Sequence, residues 1–137
     1  MRDQIVAEAL TWQGTPFHHM GRVKGVGVDC VGLVLGVAKA VGIGVTDVKL
    51  YPRYPINGVF QNAVDSQTVH VDLADVLPGD LMEFSWGREP QHIALVVSLG
   101  PIKIIHALSG VSTCLVDDFD TLWQRRFVCA RRFKELV

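Results

Sequence analysis

An α+β fold is what the sequence predicts, and three observations carry it. Apolar residues recur at helical spacing in the first third of the chain, five short β-type runs fill the second half, and the connections between those runs are too brief to hold crossover helices. Helices should come first, and an antiparallel sheet of about five strands should follow.

The first helix is predicted from Asp3 to about Trp12, with Ile5, Val6, Ala9 and Leu10 at helical spacing behind an Asp cap, ended near Gly14 and Pro16. A loop over 17–29 holds Gly21, Gly25 and Gly27. A second helix then starts at Cys30, lines one face with Leu33, Val34, Val37, Ala38 and Val41, and is closed by Gly42. In "TDVKLYPRYPINGVFQN" Pro52 and Pro55 impose an irregular excursion, followed by a short helix from Val59 to Val64. Strands are predicted over Leu81–Trp86, His92–Leu99, Ile102–Leu108, Val111–Val116 and Phe127–Phe133, joined as a meander by turns such as "SLGPIK" and "LSGVS".

At 137 residues one domain, 1–137, is expected. Thirteen basic against fourteen acidic side chains leave a formal charge of -1, so no strong field draws the chain to nucleic acid or an anionic membrane. The start lacks a signal-peptide core, and no apolar run is long enough to span a membrane, which predicts synthesis and folding in the cytoplasm. Cys30, Cys114 and Cys129 are odd in number and widely spaced, which excludes a disulfide framework and a zinc ribbon and predicts reduced thiols.

Cys30 stands where glycine-rich loop becomes helix, in "GVGVDCVGLV". Unpaired N–H groups and the positive end of the dipole favour a thiolate there, so a lowered thiol pKa and a nucleophilic role are predicted; a small buried hydrophobe is the plainer reading. A nucleophilic thiol needs a base and a group that orients the base. Of five histidines, His92 and His106 lie inside apolar β runs, whereas His18, His19 and His70 fall in loops. If these two runs form a hairpin centred on Leu99, paired residue numbers sum to 198 and the two rings lie directly opposite. A hairpin centred on Gly100 makes them diagonal neighbours on the same face, and Pro101, which cannot donate to a ladder, leaves both registers open. In either register His92 can take a proton from Cys30 while neutral His106 accepts from the other ring nitrogen. The competing chemistry is zinc held by Cys30, His92, His106 and His18 or His19, but these positions lack the close pairs of most zinc sites, and no metal or cofactor is expected.

Four blocks in order, "DCVGLV", "LPGDLMEF", "HIALVV" and "IIHAL", resemble the signature of the NlpC-type cell-wall cysteine peptidases over roughly Thr15 to Leu108. In form the chain is most similar to compact versions carried by phages and gene-transfer agents. The resemblance implies a papain-like fold with the nucleophile helix packed on the sheet, Cys30 as nucleophile, His92 as base and His106 as third polar residue. It implies peptidoglycan stem peptides as substrate, often cut after γ-D-glutamate, through a thioester whose oxyanion is held by the Cys30 N–H and one further donor. Phage tail proteins are the implied partners, and delivery within a phage-like particle to the cell wall the implied route. A structural tail or assembly component with the same fold is the alternative.

Two positions depart from the pattern. The family usually has Tyr where Phe17 stands, which leaves His18 or His19 as replacement donors. It usually has Ser after the cysteine, where this chain has Val31; that serine helps recognise a free amine, so a preference for a free N-terminal L-alanine is not implied. Asp29 either binds an ammonium group or caps the helix. Asp80 is read as a structural turn residue, Tyr51, Tyr54 and Trp86 as packing or groove residues, and Arg125, Arg126, Arg131 and Arg132 as a basic patch balanced by Asp117, Asp118 and Asp120, left solvated, or docking a virion partner.

Overall fold

The computed structural model describes residues 1–47, 59–87 and 90–137. Helix α1 (Arg2–Leu10) buries Ile5 and Ala9. Met1, not Asp3, takes its cap position, and Asp3 sits in the first turn, where its charge still meets the positive end of the dipole. Helix α2 (Cys30–Ala40) buries Val31, Leu33, Val34, Leu35, Val37 and Ala38, so it is enclosed nearly all round rather than along one stripe. Gly42, at φ +84°, ends it in the left-handed turn that glycine adopts without strain. The glycine-rich loop carries a two-stranded ribbon that its short runs did not announce, β1 (Arg22–Val23) with β2 (Gly27–Val28). Helix α3 (Val59–Asp65) begins where predicted. Most of the proline-rich excursion before it, with Tyr51 and Tyr54, lies outside the described residues.

The main sheet is antiparallel and has six strands: β3 (Thr68–Val71), β4 (Leu81–Ser85), β5 (Pro90–Ser98), β6 (Lys103–His106), β7 (Leu115–Asp118) and β8 (Phe127–Phe133). Their order is β3-β8-β4-β5-β6-β7. The predicted meander holds from β4 to β7, but β8 crosses back to pair with β4, and β3, absent from the prediction, adds an edge beyond it. Strand β7 starts later than expected because the backbone before it is tied to the N-terminal loop: Phe17 N–H donates to Ser112 C=O at 3.0 Å, and Cys114 N–H to Thr15 C=O at 2.8 Å. A short helix, α4 (Thr121–Arg126), was also not predicted; Asp120 caps it by accepting from the Trp123 N–H.

Strand β5 explains why "HIALVV" reads as a continuous apolar run. Ile93, Leu95 and Val97 face a core shared with α1 and α2, while Ala94 and Val96 face a second core with Phe84, Ile104 and Trp123. A strand buried on both faces has no solvent side on which to place polar residues. His92 heads this strand, next to an irregularity where pairing shifts between Phe84 and Ser85.

Candidate active site

Cys30 is the first residue of α2, half-buried, and Asp29 before it is the cap. The Asp29 carboxylate accepts from Gly32 N–H at 2.8 Å, from Met20 N–H at 2.8 Å and from Arg22 Nη1 at 3.0 Å. It thus ties the loop around Met20 and Arg22 to the helix start, and is 3% exposed. Gly32 permits this closeness, since a Cβ there would collide with the Gly21 carbonyl oxygen.

The thiol does not behave as the helix start alone predicts. Burial, with the Asp29 carboxylate second, pushes Cys30 up to about 12, against the N–H groups of Ile93, Val31 and Cys30 itself, which favour the thiolate.

His92 and His106 are brought together. Strands β5 and β6 pair Leu95 with Ile105 and Val96 with Ile104, the register centred on Gly100, which makes the histidines diagonal neighbours. His92 Nε2 and His106 Nδ1 are 2.8 Å apart, and the rings are 3% and 1% exposed. One nitrogen must donate and the other accept. With the proton on His92 Nε2, its Nδ1 keeps a lone pair, and neutral His106 carries its own proton on Nε2, 3.5 Å from Asp117 Oδ2. Burial holds His92 well below the ordinary imidazole value, helped by the positive charges that His106 and Arg126 can carry. Burial also lowers His106, with Asp117 working the other way.

Three residues of this cluster were not singled out from the sequence for this place. Asp117 lies at the end of β7, beyond the strand as predicted, and also accepts from Trp123 Nε1 at 3.2 Å. Trp123 packs on His106 at 4.8 Å and on His92 at 5.8 Å between ring centroids. Arg126 lies over Trp86 and Trp123. Trp86, read as a packing or groove residue, contacts His92 edge-on at 5.5 Å and is 43% exposed.

Phe17 is half-buried against the α1/α2 core. Exposed His18 donates from Nδ1 to the His19 carbonyl at 2.9 Å, so in its neutral form Nε2 offers a lone pair rather than a donor. His19 is half-buried. Val31 points into apolar surroundings that include Leu81, Ile93 and Phe133. Asp80 is the structural residue expected: fully buried, it accepts from Arg132 at 2.9 Å, from Arg2 at 3.0 Å and from Leu77 N–H at 2.9 Å. Its burial raises the carboxyl, yet those donors outweigh burial and hold it below its ordinary value. The arginines do not form one patch balanced by Asp117, Asp118 and Asp120. Arg132 pairs with Asp80 and Arg131 with Asp65, while Asp118 faces Lys103. Among the described residues no group of three or more His, Cys, Asp or Glu side chains is placed to hold a metal ion, and no helix is long and apolar enough to cross a membrane.

A helix-start cysteine seated against an antiparallel sheet, with two bonded histidines on its neighbouring strands, defines the class: a papain-like α+β fold. Residues 14–132 match the model of the NlpC/P60 family, and the chain belongs to that family. An NlpC/P60 family protein from Bacillus cereus superposes with a TM-score of 0.77 at 23% identity, over 97% of this chain and 40% of that one, so this chain spans well under half of that protein. The NlpC/p60 domain of the peptidoglycan hydrolase SagA gives a TM-score of 0.67 at 23% identity, over 95% of this chain and 97% of that one. RipD from Mycobacterium tuberculosis, a non-catalytic NlpC/p60 domain protein adapted to peptidoglycan binding, gives 0.64 at 19% identity, over 97% and 96%. No curated protein matches the chain.

Proposed function

We propose that this chain is a cysteine peptidase that hydrolyses peptidoglycan stem peptides, with Cys30 as nucleophile, His92 as base and His106 as the residue that orients the base. The observation that carries this reading is the 2.8 Å contact between His92 and His106, with His92 on β5, the strand against which the helix begun by Cys30 packs. Cysteine and imidazole start as a neutral pair, given a thiol near 12 and a depressed His92. The proton therefore leaves Sγ for His92 Nδ1 as sulfur attacks the scissile carbonyl carbon. The oxyanion is met by the Cys30 backbone N–H, the amide dipole that the helix start leaves available. The imidazolium then protonates the departing amine, the thioester remains on Cys30, and water activated by His92 releases the acid and restores the thiol. Asp29 serves as cap and loop tie. With Val31 in apolar surroundings, the requirement for a free amine on the substrate is relaxed. Carriage on a phage-like tail is the delivery route that the form of the chain suggests.

A second reading, a wall-binding or tail assembly component, is favoured by the raised Cys30 thiol and by Phe17 and Val31 at positions where the family usually has Tyr and Ser. Mass spectrometry of muropeptides and free stem peptides incubated with wild type and with Cys30→Ala separates the two. A Cys30-dependent product is expected, its mass naming the bond cut; intact substrate in both samples refutes the peptidase.

A further inference from the structure

Arg126 ends α4 and, among the described residues, has no carboxylate within ion-pairing reach. The acids that the sequence sets beside it are engaged elsewhere: Asp117 takes the Trp123 indole N–H at 3.2 Å, Asp118 faces Lys103 at 3.9 Å, and Asp120 takes the Trp123 backbone N–H at 3.2 Å. The guanidinium instead lies 5.0 Å from the Trp86 ring centre and 5.4 Å from that of Trp123. Both indoles pack on His92, at 5.5 and 5.8 Å. Indole faces attract the cation but accept little from its five in-plane N–H donors, whose edge remains available to a planar anion. Trp86 is 43% exposed, so this shelf opens to solvent next to the base.

We infer that Arg126, placed over Trp86 and Trp123, is a carboxylate-binding subsite beside His92 that selects peptides carrying a free carboxylate within one residue of the scissile bond. This deepens the peptidase reading and rests on it for the position of the scissile bond. In a γ-linked glutamyl peptide the group at that range is the α-carboxylate, and the fork geometry of arginine suits it bidentately.

The test uses twin γ-D-glutamyl stem peptides, one with the free α-carboxylate and one with the α-carboxamide. Cleavage is compared for wild type, Arg126→Gln and Arg126→Lys, and binding for Cys30→Ala with and without Arg126→Gln, after circular dichroism has verified that each variant is folded. Wild type should prefer the free acid by about ten- to a hundredfold in kcat/KM, the weight of a charge-assisted contact, with Cys30→Ala showing the same preference in Kd. Arg126→Gln should bring both ratios to near one, and Arg126→Lys should retain part of them. Equal treatment of the twins by the Arg126-containing proteins, or a preference that survives Arg126→Gln, overturns the subsite. Because binding to Cys30→Ala needs no turnover, absence of hydrolysis refutes only the peptidase, and the Kd ratio still decides the subsite.

Discussion

His92 Nε2 meets His106 Nδ1 at 2.8 Å although the strand register sets the two residues diagonally rather than opposite each other. The rings are tilted by 52° with centroids 5.0 Å apart, so a nitrogen edge of one meets the other rather than face meeting face. The bond needs one donor and one acceptor, so with the proton on His92 Nε2 the lone pair of that ring is left on Nδ1.

Removing the acceptor should therefore cost rate more than stability. His106→Ala is expected to lower kcat by less than the roughly 10⁴-fold that a wrong tautomer costs a carboxylate-oriented histidine, because a neutral acceptor orients more weakly. His106→Asn, whose Oδ1 can accept from His92 Nε2, should recover part of the loss. Equal kcat for wild type, Ala and Asn variants would remove His106 from the mechanism.

Asp117 faces the far nitrogen of the same pair at 3.5 Å, and its charge works against the burial that lowers His106. Among the described residues Arg126 also bears on the pair and opposes protonation of His92. Asp117→Asn should destabilise the imidazolium formed during turnover, which lowers kcat, and should move the acid limb of the kcat/KM profile to lower pH. A profile unmoved by the substitution would reduce Asp117 to a partner of Trp123.

The resting charge state is open to direct measurement. With Cys30 pushed up to about 12 and His92 held well below its ordinary value, the free enzyme should hold a thiol and a neutral imidazole at neutral pH. The ultraviolet absorbance of thiolate, taken as wild type minus Cys30→Ala to cancel Cys114 and Cys129, should stay flat through neutrality and rise only in strong alkali. A rise at acid or neutral pH would instead indicate a preformed thiolate–imidazolium pair.

How much of this was legible in the sequence differs residue by residue. Cys30 could be placed because a loop-to-helix boundary is a local signal, and His92 and His106 because any register with an even sum keeps them on one face. The choice between the two even sums was open, since only the turn at Gly100 and Pro101 decides it. Asp117, Trp123 and Arg126 carry no such signal. Asp117 depends on where β7 starts, which the backbone bonds of Thr15 and Phe17 decide, and Trp123 sits in a six-residue helix too short to show a period. The direction of the Cys30 shift is not legible in the sequence, because the dipole is read from the helix alone, whereas burial and the Asp29 charge belong to the folded surroundings.

Two glycines of α2 separate site from scaffold. A Cβ at Gly32 would strike the Gly21 carbonyl and displace the loop that Asp29 ties down, while one at Gly36 would strike the indole of Trp12 in the core behind. Each alanine variant is expected to cost about 1–3 kcal/mol through overpacking. Gly32→Ala should also lower kcat/KM well beyond the effect of Gly36→Ala at matched folded fraction, measured by thermal melts and peptide cleavage side by side. Matching losses of activity would mean that the loop is not held by this contact.

Away from the site, Glu83 on β4 is fully buried; among the described residues its Oε1 has no hydrogen-bond donor, and the Oδ1 of nearby Asp65 has only the Arg131 guanidinium at ion-pair distance, 3.5 Å. Burial raises the Glu83 carboxyl to about 7, and Asp65 adds to the rise, against a thiol donation from Cys129 at 3.0 Å. A carboxyl raised in the folded state keeps its proton between the ordinary value of 4.5 and about 7, where the unfolded chain has already lost it. Its contribution is therefore greatest at the acid end of that window and declines as pH rises through it. His92 and His106 act oppositely: being depressed, they favour the unfolded state as pH falls below 6.5. Glu83→Gln keeps an acceptor for Cys129 and a donor for Asp65 without a charge to bury. At pH 8 it should be more stable than wild type by on the order of 2 kcal/mol, raising Tm by roughly 5 °C, with the advantage fading toward pH 5. Melting curves of both proteins across pH 5–8 decide it, and parallel curves would mean that Glu83 is ionised throughout.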